Sequence, residues 1–326
     1  MKVGVVPPVP TEVFTRSGHL AVNLWSSFYE CEDRSSLERE IPFPFREDVP
    51  SPWAGGLYAL ALRERLEGLV LPRPCPFGIL EPVAKALERE GIRVFRFQYP
   101  LLRNLSRLRE EIGRLCEAFG IPPERLNEGV QDWSGLRLSL KRLDGIQVRN
   151  AAFPSLGYLR ALAAAMNPGG DLDAARRDTE ARILEYDSLG QERWTRLGVV
   201  GVTPYRPEFF ALLEKLRAVI VYDELGLDAN PMGASQELSA LYHNCSLPYG
   251  LKRRGSRLEK EIRERRIHGL LLGVEAISGG RRDEGFFRST MPVPLFAVET
   301  CRSGEMSGSE TRLLQHFLSR CAARNP

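Results

Sequence analysis

The sequence has no excess of charge of either sign. Its 45 basic and 42 acidic side chains leave a net charge of +3 over 326 residues. A nucleic-acid-binding face needs clustered basic residues, so this near balance argues against a nucleic acid as partner. Short arginine runs occur at 176–177, 253–254 and 281–282. Because such runs are usually solvated, we expect them to face water rather than to form a track for phosphates.

Long hydrophobic runs are also absent. No apolar stretch approaches the roughly 20 residues that a membrane-spanning helix needs, so we expect no membrane partner. Lys2 is followed at once by the strand-like run 3–6. That run is too short for the apolar core of a signal peptide, and we therefore expect a cytoplasmic protein.

Several common motifs of catalytic and metal sites are missing. There is no G-x-x-x-x-G-K-[ST] phosphate loop, no H-E-x-x-H and no G-x-S-x-G. The six cysteines are Cys31, Cys75, Cys116, Cys245, Cys301 and Cys321. None forms a C-x-x-C pair, so the pattern lacks zinc spacing and is typical of a reduced intracellular chain.

The composition is that of a folded protein long enough for two domains. Hydrophobic residues make up 43% and charged residues 27% of the chain. In the first part, β-branched runs such as 2–6, 68–71 and 92–97 alternate with helical segments. One of these helices is predicted over 101–119. Strands that alternate with helices of this length predict a parallel sheet.

The order of elements repeats in the second part of the chain. The segment RLGVVGVTPYRPEFFALLEKL at 196–216 matches KVGVVPPVPTEVFTRSG at 2–18, and the next three elements recur in the same order. We therefore predict an α/β fold with two Rossmann-like, flavodoxin-like parallel-sheet domains related by duplication. Their predicted bounds are 1–120 and 195–326, with a helical connection at 121–194.

The fold class predicts where a site lies. Ligands of open parallel sheets bind beyond the C-terminal ends of the strands. Four loops of this kind occur, at 7–12, 72–78, 203–208 and 273–280. Two domains that face each other place these loops around one cleft, and we expect the site there.

Carboxylates near predicted strand ends are candidates for acid–base chemistry. Glu12 and Glu208 start equivalent helices, and Glu299 follows the last strand. The alternative for the first two is a favourable interaction with the positive end of a helix dipole. For Glu299 the alternative is an ordinary strand end.

Two cysteines also follow predicted strands. Cys75 stands between two prolines directly after a buried strand, where a ligand or nucleophile would face the cleft. The alternative is a small buried apolar residue, the common role of a free cysteine. Cys301 follows the last strand and is a weaker candidate metal ligand.

The ordered series of segments resembles the iron–sulfur subunits of the 2-hydroxyacyl-CoA dehydratase and benzoyl-CoA reductase family, of the type of the 2-hydroxyglutaryl-CoA dehydratase D component. The segments that carry the resemblance include VGVVPPVPTEVFTRSGHLAVNLW, GLVLPRPCPFG, GIRVFRFQYP, VIVYDELG, SLPYG and VPLFAVET. They cover nearly the whole chain, and the resemblance is weakest at about 122–193.

The resemblance implies a [4Fe–4S] cluster held by three cysteines, one from each of three loops. Such clusters need thiolate ligands. Of the three positions, only Cys75 is a cysteine, while Ser51 or Pro52 stands at the first and Ser278 at the third. Cys301 could supply at most a second thiolate. We therefore predict no cofactor, or an atypical or partial iron–sulfur cluster.

The resemblance also implies a function. Family members are lyases or reductases of anaerobic metabolism, in which an ATP-driven activator supplies an electron that enters a CoA thioester. We expect a cluster-poor subunit that pairs with a paralogous subunit, as a homodimer or heterodimer, or a divergent acyl-CoA enzyme. An activator ATPase is a further expected partner.

Two alternatives remain open at this point. One is a non-enzymatic two-domain protein that binds a small ligand or serves as a scaffold. The other is an active dehydratase or reductase subunit whose [4Fe–4S] cluster has unusual ligands.

Overall fold

Two parallel sheets form the framework of the protein. The computed structural model describes residues 1–31, 37, 52–74, 80–151, 153–167, 169–187, 194–204, 207–233, 235, 237–274, 280–300 and 306–323, without the side chains of 52 and 280–282. The chain is an α/β protein with two four-stranded, all-parallel sheets flanked by helices, as predicted. No helix among the described residues is long and apolar enough to cross a membrane.

The first sheet has the strand order β2–β1–β3–β4. Its strands are β1 (Lys2–Val5), β2 (Leu20–Asn23), β3 (Gly68–Arg73) and β4 (Arg93–Gln98). The inner strands β1 and β3 are covered on both faces, which is why they read as continuous apolar runs and not as alternating patterns. Thr11–Phe14, predicted as the start of a helix, forms a single 3₁₀ turn after β1.

The second sheet repeats that order as β6–β5–β7–β8. Its strands are β5 (Thr195–Gly201), β6 (Ala218–Asp223), β7 (Gly269–Val274) and β8 (Leu295–Glu299). The two sheets thus share one topology. In each, the chain passes over the first strand between the second strand and the third. This identity of order agrees with the repeat in the sequence.

Helices flank both sheets and connect them. Beside the first sheet lie α1 (Leu24–Glu30), α2 (Pro52–Arg63), α3 (Leu80–Arg89) and α4 (Leu105–Ala118). The connection contains α5 (Pro123–Asn150), α6 (Ser155–Met166) and α7 (Leu172–Asp187). The second half contains α8 (Pro207–Lys215), α9 (Glu224–Ala229), α10 (Leu238–Tyr242), α11 (Leu251–Glu264), α12 (Gly280–Thr290) and α13 (Gly308–Ala322).

Helix α4 begins later in the chain than the helix predicted over 101–119. The Asn104 side chain accepts a hydrogen bond from the Arg107 N–H, so Asn104 is the N-cap and the helix begins at Leu105. Residues 101–104 are therefore a loop beyond the C-terminal end of β4. This loop forms one wall of the cleft described below.

Helix α6 of the connection packs against both halves. The Ser26 hydroxyl donates to the Ala163 carbonyl at 2.6 Å, and the Asn230 amide donates to the Leu162 carbonyl at 3.0 Å. A segment of the second half also packs against the first sheet. Residues 238–249 belong to one apolar cluster with strands β1, β3 and β4. The two sheets are thus tied together, and the domain boundaries proposed above remain predictions.

Candidate functional site in the cleft between the sheets

A cleft lies where the C-terminal edges of the two sheets meet. Tyr99 follows β4, and its ring centroid is 5.9 Å from that of Tyr249, which precedes α11. Because α11 leads into β7, its N-terminus lies at the C-terminal edge of the second sheet. The open cavity here has a volume of about 880 Å³. We call it the inter-sheet cleft, and its walls are 101–103, 249–253, 256, Asp283 and Phe286.

The wall contributed by the first half is the loop before α4. Leu101 and Leu102 are 84% and 85% exposed. Arg103 is held by neutral acceptors from the second half, since its Nε donates to the His243 carbonyl at 2.8 Å and its Nη2 to the Asn244 side chain at 2.5 Å. The Arg103 charge therefore stays available to a ligand, beside two apolar side chains.

The facing wall is the first turn of α11. Gly250 is its N-cap and offers no side-chain hydrogen bond, and the first turn contains no acid. Lys252, Arg253 and Arg254 stand there instead, although helix N-termini normally favour acids. Within the described part of the chain, neither Lys252 nor Arg253 forms an ion pair with a carboxylate, and the same holds for Arg103. Three cations thus line the cleft, and none of them pairs with a carboxylate of the described residues.

Shifts in pKa agree with a positive field in the cleft. Burial, and after it the charge of Arg253, lowers the pKa of Arg103. Burial and the charge of Arg103 lower the pKa of His243. In both cases burial is the larger cause, and the neighbouring arginine acts in the same direction. A nearby anion would contribute in the opposite direction.

Arg254 departs from the expectation that the 253–254 run is solvated. It is 5% exposed and turns into the protein, where Nε and Nη2 bind Glu224 at 2.9 and 2.7 Å. Its Nη1 donates to Asp283 Oδ2 at 2.9 Å. The prediction failed for Arg254 because the helix turns this one side chain toward a buried carboxylate that lies far away in the sequence.

Glu224 and Asp223 lie behind the cleft at the end of β6. The Gly201 N–H donates to Glu224 Oε2 at 2.9 Å. Burial acts to raise the pKa of Glu224, but Arg254 outweighs it and the pKa is lowered. Within the described part of the chain, Asp223 pairs with no cation. Burial raises its pKa to about 7, although the Thr203 hydroxyl and the Gly226 N–H both donate to it.

Glu12, the first predicted acid–base residue, lies in a different place. It is 2% exposed. Its Oε1 lies 2.5 Å from Arg137 Nη2 of α5, and its Oε2 accepts from the Tyr242 hydroxyl at 2.9 Å. Both oxygens are therefore occupied by partners from the connection and from the second half. Glu208, its proposed counterpart, is exposed at the start of α8.

The remaining predicted site residues are only partly described. Glu299 ends β8 and is exposed. Ser51, Cys75, Ser278 and Cys301 lie outside the described residues. A catalytic or ligand role for these residues stays a prediction.

The described cysteines do not resemble a cluster site. Cys116, Cys245 and Cys321 are buried, and Cys31 is half-buried. The Cys245 thiol donates to the Asp228 carbonyl, and burial raises its pKa well above the ordinary value. Among the described residues, no group of three or more His, Cys, Asp or Glu side chains could hold a metal ion. Because Ser51, Cys75 and Ser278 lie outside the described residues, the absence of a cluster at those positions stays a prediction.

Sequence reasoning missed the residues that line the cleft. A signal was present, since Gly250 is followed by three basic residues at a helix start that contains no acid. Arg103 had no such signal, because it lay within a predicted helix. No protein-family model matches the chain, and no curated protein matches it significantly.

Proposed function

We propose that the chain binds an acyl-CoA thioester in the inter-sheet cleft. The observation that carries this proposal is a set of three cations, Arg103, Lys252 and Arg253, that pair with no carboxylate of the described residues. They lie beside the exposed Leu101 and Leu102. CoA carries phosphate groups at one end and an acyl chain at the other. The cations match the first and the leucines match the second.

The dimensions of the cleft support the same ligand class. Small-molecule sites usually enclose ~300–1,000 Å³, and this cleft has about 880 Å³. Arginine guanidinium groups bind phosphate through two parallel N–H···O bonds, which favours them over other cations for this task. The position beyond the C-terminal strand ends is the usual place for a ligand in this fold.

The wider role that we propose for the chain rests on the resemblance to the 2-hydroxyacyl-CoA dehydratase family. The chain then serves as a cluster-poor subunit, paired with a paralogous subunit that an activator ATPase supplies with electrons. Cys75 is the one cysteine at the three cluster positions. Because serine replaces thiolate at the other two, we derive no reaction step through a cluster on this chain.

Titration calorimetry with CoA, acetyl-CoA and a longer acyl-CoA tests the binding proposal. Each charged hydrogen bond to phosphate contributes ~1.5 kcal/mol, so Arg103→Gln and Arg253→Gln should each weaken binding about tenfold. Added salt should weaken binding further, since the contacts are partly exposed. The longer acyl chain should bind more tightly than acetyl-CoA because of the two leucines.

A matched control lies on the same helix. Lys260 is exposed on α11 and pairs with Glu264, outside the cleft. Lys260→Gln removes one positive charge as the test variants do, but it should leave CoA binding unchanged. Equal losses in all three variants would show a nonspecific charge effect, and no measurable CoA binding by the wild type would reject the proposal.

A further inference from the structure

One carboxylate stands among the described residues that line the inter-sheet cleft. Asp283 lies in the first turn of α12, and its side chain is 28% exposed. The three cations of the cleft lie on the loop before α4 and on α11. Asp283 makes no ion pair within 4.0 Å with any of them in the described structure, where its partner is Arg254. A negative group therefore persists in a cleft that is otherwise positive.

Arg254 holds the Asp283 side chain in place. Arg254 Nη1 donates to its Oδ2 at 2.9 Å, and Arg254 is itself clamped by two bonds to Glu224. The single positive charge of Arg254 is shared between two carboxylates, so the trio has a formal net charge of −1. The Asp283 Oδ1 atom has no hydrogen-bond donor within the described part of the chain. It is thus an oriented acceptor at the cleft.

We propose that Asp283 selects ligands that carry a hydrogen-bond donor or a positive group in addition to their anionic group. The anionic end binds Arg103, Lys252 and Arg253, and the donor binds Asp283 Oδ1. This inference rests on the proposed anion binding in the cleft. The ligand class is a phosphate ester that also carries an ammonium, amide N–H or hydroxyl group.

Two small probes with the same carbon chain distinguish the proposed role of Asp283 from attraction of the phosphate by the three cations alone. Ethyl phosphate carries only the anionic group, whereas phosphoethanolamine adds an ammonium. If only the three cations act, the ammonium is repelled and ethyl phosphate binds more tightly. If Asp283 acts as proposed, phosphoethanolamine binds about threefold more tightly, the usual size of a partly exposed ion pair. Binding is measured by NMR titration of the wild-type protein.

The variant Asp283→Asn sharpens the test. The Asn oxygen is needed as acceptor for Arg254 Nη1, so the amide nitrogen takes the place of Oδ1. A donor then stands where an acceptor stood. We expect the preference to reverse, with ethyl phosphate binding more tightly than phosphoethanolamine. Thermal unfolding of the variant shows whether it is folded.

The neighbouring Glu284 provides the control. It pairs with Arg288 on the same helix and does not line the cleft. Glu284→Gln removes the same charge and should keep the preference for phosphoethanolamine.

The outcomes also separate this inference from the proposed function. If both probes bind the wild type equally, or if Asp283→Asn keeps the wild-type preference, the role of Asp283 is wrong while anion binding stands. If neither probe binds but CoA does, the role of Asp283 is wrong and the proposed function stands. If CoA does not bind either, both proposals fail.

Discussion

Arg254 and Glu224 form a buried ion pair with two parallel hydrogen bonds, at 2.9 and 2.7 Å. Arg254 comes from the first turn of α11 and Glu224 from the first residue of α9. The pair joins the edge of the second sheet to the wall of the inter-sheet cleft. Because neither group reaches solvent, each depends on the other for its charge.

Removing one member of this pair should destabilise the protein strongly. Arg254→Met leaves the Glu224 carboxylate buried and uncompensated, which costs ~3–5 kcal/mol in such pairs. Urea unfolding measures the change. Arg288→Met is the control, because Arg288 is half exposed and pairs with Glu284 one turn away on α12. It should cost at most ~0.5 kcal/mol, and a similar small effect of Arg254→Met would contradict the burial of the pair.

Tyr242 should stabilise the protein through its hydroxyl. Tyr242→Phe removes the donor to Glu12 Oε2, a contact that ties the second half to the first. The buried carboxylate oxygen then lacks a partner, and we expect a loss of ~1–3 kcal/mol in urea unfolding. The matched control is Tyr249→Phe. The Tyr249 hydroxyl is buried without a hydrogen-bond partner in the described structure, so its removal should not destabilise.

Asp223 should make stability depend on pH between about 4 and 7. Its pKa rises from the ordinary 3.8 to about 7 on folding, mainly through burial. In this window the folded protein holds a proton that the unfolded chain releases, so stability falls as pH rises, by at most ~1.4 kcal/mol per pH unit. The nearby acids that act on this group are Glu224 and Asp228.

The variant Asp223→Asn isolates that contribution. Urea unfolding of wild type and variant at pH 4.5, 5.5, 6.5 and 7.5 gives their difference in stability. The advantage of the wild type should shrink toward high pH and level off above the raised pKa. A difference that stays constant over this range would show that Asp223 titrates normally.

The purified chain should hold no intact iron–sulfur cluster. Such clusters take about four ligands, mostly cysteine thiolates, and the chain offers Cys75 with serine at 51 and 278. Iron and acid-labile sulfide are measured after anaerobic purification. Near four irons per chain, with a brown absorbance that bleaches on reduction, would refute this and favour the active-subunit alternative. Without iron, Cys75→Ala should leave folding unchanged.

The fold could be predicted because its signals are local. Runs such as 3–6 and 269–274 are continuous and apolar, since strands inside a parallel sheet are covered on both faces. Their alternation with helical segments, and its repetition along the chain, predicted two parallel sheets. The start of α4 was also encoded locally by Asn104, but the apolar pair Leu101–Leu102 favoured a longer helix.

The site depends on packing between distant segments of the chain, which no local sequence pattern indicates. Arg103 and Arg253 lie in different halves of the sequence and meet only because the C-terminal edges of the two sheets face each other. Of the adjacent residues Arg253 and Arg254, one faces the cleft and the other is buried, because a helix turns successive side chains to different sides. The sequence alone therefore determined the elements and their order. Only the tertiary structure decided which charges remain unpaired, because that depends on contacts between residues distant along the chain.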